Sequence, residues 1–220
     1  MVDSHSIYFN EEHVLLRKMI RDFSNDELKP LAQDIDKNST FPEESIKKIA
    51  DLGLMGIPWP EEYGGGGMDN LSLVIAIEEM AKVCVSTAVT VMAHTSLGSG
   101  PFALFGSESQ KEKYLPKLSS GTIIGAFGLT EPNAGSDAGN TQTRAVLKND
   151  KFIVNGQKIF CTNAGVAGVT IFTARIIEDG EDKALEHCML MLIPKDLDLE
   201  NQKRKWDGKA LIHAQSILMK

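Results

Sequence analysis

Leu15, Leu16, Met19, Ile20 and Phe23 recur at steps of three and four residues, and Leu28, Leu31 and Ile35 carry the stripe past Pro30. That period predicts an amphipathic helix interrupted at the proline. A second helix is expected to start at Pro42, with Thr40 as candidate cap and Ile46, Ile49, Ala50 and Leu52 as its apolar side, and to end at Gly53. The glycine run 64–67 reads as a flexible loop. Segments 71–82 and 86–97 are rich in Ala, Val, Ile and Met and read as central helices of a bundle, followed by a short helix over 107–115. Past Gly121 the texture changes to short runs of Ile, Phe, Val and Thr broken by Asn-Asp, Asn-Gly and Gly. Strands are predicted there, with 151–160 read as a hairpin. The change of pattern places a domain boundary near residue 120.

With 220 residues, 42% hydrophobic and 24% charged, the chain is long enough for one large or two modest cores. A net charge of −7 without clustered Lys and Arg argues against a nucleic-acid partner. Cys84, Cys161 and Cys188 are odd in number and lack metal spacing, which points to a reducing compartment and no metal centre. The N-terminal residues form neither an apolar signal run nor an Arg-rich presequence, and no stretch is long enough for a membrane helix, so a cytoplasmic location is expected.

Two stretches carry the candidate chemistry: Gly125-Ala-Phe-Gly-Leu-Thr-Glu-Pro-Asn-Ala-Gly-Ser-Asp137 and Lys158-Ile-Phe-Cys-Thr-Asn163. A cluster of aromatic and hydroxyl residues beside an Asn-Ala-Gly-Ser turn offers donors to a ring carbonyl and amides to a diphosphate. No Gly-x-Gly-x-x-Gly fingerprint occurs, so the chemistry points to a flavin rather than a nicotinamide. The four-glycine run lacks the Lys and Ser/Thr of a P-loop, and no Gly-x-Ser-x-Gly elbow is present.

Both stretches, with Pro60-Glu-Glu-Tyr-Gly-Gly65, His94-Thr-Ser-Leu-Gly98 and Gln110-Lys-Glu-Lys-Tyr-Leu-Pro116 in the same order, resemble the acyl-CoA dehydrogenase family over about residues 5–196. The resemblance implies an α+β fold: a helical N-terminal domain over 1–120 and a small β-barrel-like flavin-binding domain over 121–196, with the family's C-terminal four-helix domain absent. It implies FAD as cofactor. Thr130 and Thr162 would donate to the flavin ring, Phe127, Leu129 and Phe160 would pack around it, and Gly135 and Ser136 would approach the pyrophosphate and the CoA moiety. Leu97, Gly98 and Phe102 would line the acyl pocket, and the wording around His94 is closest to short-chain, butyryl-CoA-type members. Many members carry Trp at the position of Phe160. Glu131 reads as a backbone-bonding turn residue rather than a catalytic acid.

The family's reaction is FAD-dependent α,β-dehydrogenation of an acyl-CoA to the trans-2-enoyl-CoA. An electron-transferring flavoprotein or equivalent acceptor serves the complete enzyme, and complete members are homo-oligomers. Its general base is a Glu of the C-terminal domain, so no catalytic residue is assigned here, and a truncated, inactive chain is expected. The alternatives are a non-catalytic flavin, acyl-CoA or protein-binding module, and a related flavin oxidase or monooxygenase. Segment 197–220 shows no strand pattern where the family has strands ending in a Lys-Met-Gly motif. Read one base out of phase with synonymous choices made toward the family, its codons permit KMGWKSSDTRAVYFDE, so a divergent tail from a frameshift near Asp196 is expected.

Overall fold

The computed structural model describes residues 8–148, 151–178, 180–182 and 210–218, the last of these by backbone alone. They fall into two compact units, one ending at Thr122 and the other beginning at Ile123.

The first unit is helical. Helix α1 (Glu11–Phe23) starts from a reciprocal cap: the His13 N–H donates to Asn10 Oδ1 at 2.8 Å and His13 Nδ1 accepts from the Asn10 N–H at 3.2 Å. Its buried face is made of His13, Leu16, Arg17 and Ile20, whereas Leu15 and Met19, expected on the apolar side, stand exposed. The reason is electrostatic. Arg17 and Arg21 reach Glu78 and Glu79 of α4 (Asn70–Ala81), and this rotates α1 toward an ionic seam.

Pro30 does not break the stripe where expected. It occupies the first turn of α2 (Lys29–Asn38), where a missing N–H costs nothing, and the irregularity moves into a π-helical turn over Ser24–Leu28. Helix α3 (Glu43–Asp51) begins after Pro42 without any side-chain cap, so Thr40 does not serve as one; Glu43 and Glu44 instead set negative charge against the positive helix start. The glycine run is a loop but not a loose one. Gly65, Gly66, Gly67 and Met68 donate backbone bonds to Pro60, Gly56, Trp59 and Ile57, and a Cβ on Gly65 would lie 2.1 Å from the Trp59 carbonyl oxygen.

The expected 86–97 helix is α5 (Val85–Met92) running into a π-helical turn over Ala93–Ser99 and then α6 (Gly100–Phe105). Helix α7 (Glu108–Ser119) has Ser107 as its cap and continues through Pro116, four residues past its expected end. Ile20, Leu28, Ile49, Ile75, Met80, Val91, Phe102, Leu115 and Leu118 are buried in this unit.

The second unit carries two small sheets. Strands β1 (Gly125–Gly128) and β4 (Val169–Phe172) pair in parallel. Strands β2 (Arg144–Lys148), β3 (Lys151–Lys158), β5 (Arg175–Glu178), β6 (Glu181–Asp182) and β7 (Ala210–Leu218) form a sheet of order β6-β5-β2-β3-β7. The two sheets share a core of Ala145, Phe152, Val154, Phe172 and Ala174.

Segment 151–160 is therefore not a hairpin. Asn155-Gly156 lies within β3, and the antiparallel partner is β2. Glycine is required there by packing: a Cβ on Gly156 would fall 2.2 Å from Thr143 Oγ1. The tail, read as lacking a strand, supplies β7, which pairs along β3 from Lys151↔Leu218 to Lys158↔Ala210. The outer edge of β3 offers a row of backbone donors and acceptors, a template that takes a partner of weak intrinsic pattern. Residues 197–209, 219 and 220 lie outside the described residues.

Candidate functional site

The two motif stretches lie side by side in the second unit. Strand β1 runs out through Leu129 and Thr130, and the loop 159–163 that follows β3 is hydrogen-bonded beside it. Among the bonds that join them are the Ile159 N–H to the Thr130 carbonyl at 2.8 Å, Cys161 Sγ to the Phe127 carbonyl at 3.2 Å, and Asn163 Nδ2 to the Gly125 carbonyl at 3.4 Å. Burial pushes the Cys161 thiol up to about 11, which keeps it protonated as a donor at neutral pH.

Beneath this edge sits a buried ion pair. Lys158 Nζ donates to Glu131 Oε1 at 2.7 Å, to Thr173 Oγ1 at 2.9 Å and to the Leu129 carbonyl at 3.1 Å, with its side chain 1% exposed. Glu131 also accepts from the Thr143 hydroxyl at 2.6 Å and from the backbone N–H groups of Gln142 and Thr143. Burial alone would raise its pKa, but Lys158 and these donors outweigh it and hold the carboxyl below its ordinary value. Glu131 is thus a structural anion, bonded to backbone as its motif position suggested. It also closes the turn to Ala134 through paired backbone bonds of 2.8 and 3.2 Å.

Against these committed groups stand residues with nothing to hold. The hydroxyls of Thr130 and Thr162 donate to no other described residue. Phe160 is 75% exposed at φ 56°, a left-handed conformation that a bulky side chain adopts only under constraint. Gly135 and Ser136 are exposed after the Glu131–Ala134 turn, and a Cβ at Gly135 would meet nothing within 4 Å. Phe127 is half-buried and Leu129 is 37% exposed. All seven expected cofactor residues therefore lie on β1, its extension, the adjoining turn and the 159–163 loop.

The expected acyl-pocket residues of the helical unit behave differently from one another. Leu97 is half-exposed on the π-helical turn, Gly98 is buried beside it, and Phe102 is fully buried with its ring stacked on Tyr114 at 5.0 Å between centroids. The turn is pinned by buried bonds from His94 Nε2 to the Leu118 carbonyl, Thr95 Oγ1 to the Met55 carbonyl and Ser99 Oγ to the His94 carbonyl. Sequence reasoning missed these pins and missed Lys158. Its only sequence signal was a lysine opening the second motif, a residue type that ordinarily faces water.

Among the described residues no group of acidic, His and Cys side chains is placed to hold a metal, and no helix is long and apolar enough to cross a membrane. A helical unit followed by a small two-sheet unit defines an α+β architecture of two units. Residues 10–122 match the acyl-CoA dehydrogenase N-terminal domain and residues 126–211 match the acyl-CoA dehydrogenase middle domain. The chain belongs to the acyl-CoA dehydrogenase family.

It is 51% identical over 163 residues to the short-chain specific acyl-CoA dehydrogenase of Clostridium acetobutylicum, covering 74% of this chain and 43% of that protein. Butyryl-CoA dehydrogenase from Megasphaera elsdenii superimposes with a TM-score of 0.83 at 32% identity, covering 95% of this chain and 57% of that one. An acyl-CoA dehydrogenase from Bacillus anthracis, solved in complex with FAD, gives a TM-score of 0.78 at 34% identity, covering 96% of this chain and 36% of that one. The chain spans about half the length of the relatives it matches. The middle-domain match continues 15 residues past Asp196.

Proposed function

We propose that this chain is the FAD- and acyl-CoA-contacting half of a short-chain acyl-CoA dehydrogenase, acting in the α,β-dehydrogenation of a short acyl-CoA to its trans-2-enoyl-CoA. The observation that carries the reading is the junction where the two motifs are hydrogen-bonded together, with Thr130 and Thr162 hydroxyls uncommitted beside an exposed Phe160. These residues fit a flavin. The hydroxyls would donate to the polar edge of the ring system, Phe127, Leu129 and Phe160 would cover its apolar surface, and Gly135 and Ser136 would leave backbone open to the diphosphate. Bound FAD would supply the hydride acceptor of the reaction. Ser136 would also meet the CoA moiety, and Leu97 and Gly98 would bound the acyl chain, with Phe102 packed behind them.

Neither of the two buried carboxylates among the described residues serves as general base, because Glu79 and Glu131 are each consumed by cations. Donors near the ring stabilise the charge that gathers there on reduction, so the two threonines are assigned to binding and tuning rather than to proton removal. An electron-transferring flavoprotein or equivalent carrier would take the electrons onward in the complete cytoplasmic enzyme, itself a homo-oligomer. The two sheets of the second unit are read as walls of one barrel. We read 197–220 as a tail from a shifted frame, which nucleotide sequence across these codons tests: codons unable to yield Met, Trp and Arg in the shifted frame would defeat it.

The site reading is tested by titrating the 220-residue chain with FAD and following flavin fluorescence. With about half of a relative's length to enclose the cofactor, the chain should purify without stoichiometric flavin yet quench added FAD saturably. Replacing Thr130 and Thr162 together by Val removes two donors at about 0.5–1.5 kcal/mol each, so affinity should fall roughly tenfold. No saturable quenching, or equal affinity in the double variant, would overturn the assignment.

A further inference from the structure

We infer that Lys158 is a positioning residue for the cofactor edge, acting through the Leu129 carbonyl and Glu131 to fix the Thr130 peptide and the 159–163 loop together; this rests on the reading of Thr130 and Thr162 as cofactor contacts. The ammonium bonds two groups of the first motif, Leu129 O at 3.1 Å and Glu131 Oε1 at 2.7 Å, and a third group beyond β4, Thr173 Oγ1 at 2.9 Å. An ammonium has three N–H bonds, and these acceptors match them in number.

The Leu129 bond is the informative one. Leu129 C=O and the Thr130 N–H belong to a single planar peptide, so holding the carbonyl inward fixes the direction in which the Thr130 amide points. One residue on, the Thr130 carbonyl accepts from the Ile159 N–H, the residue next to Lys158. The lysine therefore sets the near end of the loop whose following residue, Phe160, is held at φ 56° and whose Thr162 carries the second free hydroxyl.

Packing against β1 accommodates the lysine stem. A Cβ at Gly128 would lie 3.1 Å from Lys158 Cγ, so glycine at the end of β1 makes room for the lysine stem. Glu131 completes the device by neutralising the cation without exposing it, since Thr143 and Gln142 hold the carboxylate from the other side. A purely structural salt bridge would need only Glu131; the bond to the Leu129 carbonyl ties the charge to the edge that meets the cofactor.

The test uses the full chain with Lys158→Met and with the double change Lys158→Met/Glu131→Gln. The double variant removes both charges and retains a side-chain oxygen for Thr143, so it should fold with a melting temperature near that of the unchanged chain. The backbone amides of Ile159, bonded to the Thr130 carbonyl, and of Ala164, bonded to the Cys161 carbonyl, should then exchange with solvent at least tenfold faster than in the unchanged chain, while those of β2 stay protected. FAD affinity should be weakened tenfold or more despite restored stability. Unchanged exchange at Ile159 and Ala164 in the double variant overturns the inference whether or not FAD binds. Faster exchange together with full FAD affinity in the double variant also overturns it, because the pair would then serve stability alone. Should the double variant fail to fold, Glu131→Gln with Lys158 retained is decisive: the Leu129 bond remains, so the Ile159 amide, bonded to the Thr130 carbonyl, should stay protected, and its loss overturns the inference. Faster exchange with no FAD binding by the unchanged chain would leave the positioning role intact and refute the cofactor assignment instead.

Discussion

Replacing Glu79 by Gln should destabilise the helical unit by about 3 kcal/mol at pH 7. The Glu79 side chain is 1% exposed and accepts from Arg17 at 2.9 Å, from Arg21 at 2.9 and 3.0 Å and from Lys82 at 2.8 Å. Burial alone would raise its pKa, but these hydrogen bonds, Arg21 first, lower it from 4.5 to about 2. A difference of that size between the folded and unfolded chain corresponds to roughly 3 kcal/mol favouring the folded ion. A second route gives a similar figure. Breaking a buried pair costs about 3–5 kcal/mol, and the lower end applies because Arg21 and Lys82 are 39% and 49% exposed and can turn to water, while Arg17 keeps Glu78.

Urea unfolding in a Trp206→Phe background measures this, with the nearly buried Trp59 reporting on the helical unit. At a slope of about 2 kcal/mol per molar, the midpoint should drop by roughly 1.5 M. The pH dependence fixes the cause. A carboxylate whose folded pKa is depressed contributes its stability above the unfolded value and loses it as pH falls toward the folded value. The gap between the unchanged chain and Glu79→Gln should therefore be full at pH 5–7 and close between about pH 4.5 and 2. A loss under about 1 kcal/mol at neutral pH, or a gap undiminished at pH 3, would refute the account of α1 and α4 as joined through this carboxylate.

His94, fully buried and lowered to about 4 chiefly by burial, is neutral in the folded chain, so the helical unit should lose up to about 3 kcal/mol as pH falls from 6.5 to 4. His94→Gln, which can still donate to the Leu118 carbonyl, should flatten that dependence in urea melts at the two pH values. Gly156→Ala should cost about 1–3 kcal/mol by driving a methyl into Thr143, and it should lower the calorimetric midpoint of the chain. Gly135→Ala should leave that midpoint unchanged, since its Cβ meets nothing, so any weakening of FAD binding it causes reports contact with the cofactor.

The sequence pattern reached the elements whose causes are local and lost those whose causes are distant. Ile46 and Ile49 lie on the buried face of α3, and the shift from long helical periods to short branched runs falls at the unit boundary after Thr122. The π-helical turns over Ser24–Leu28 and Ala93–Ser99 escaped because one extra residue per turn barely alters a three-or-four spacing. Arg17 took an inward position that apolar counting assigned to Leu15 and Met19, because its partners lie more than 60 residues away on α4. Asn155-Gly156 carries the strongest short hairpin signal, yet it continues a strand because Thr143 of the neighbouring segment fills the space a side chain would need.

At the site, the same distinction separates what a motif is for. Glu131, Lys158, Cys161 and Asn163 are polar residues whose bonding capacity is spent inside the unit, on one another or on the carbonyls of β1 and its extension. Folding alone explains them, since buried polar groups must be paired. Thr130 and Thr162 alternate with them in the chain and keep their hydroxyls uncommitted, while Phe160 holds an apolar ring in solvent at a backbone angle that costs energy. Stability gives no reason for that second set. The spent residues build a rigid edge, the unspent ones share it, and a rigid edge of unspent donors and exposed aromatic surface is the condition for binding a planar, polar-edged ligand without first reorganising the protein.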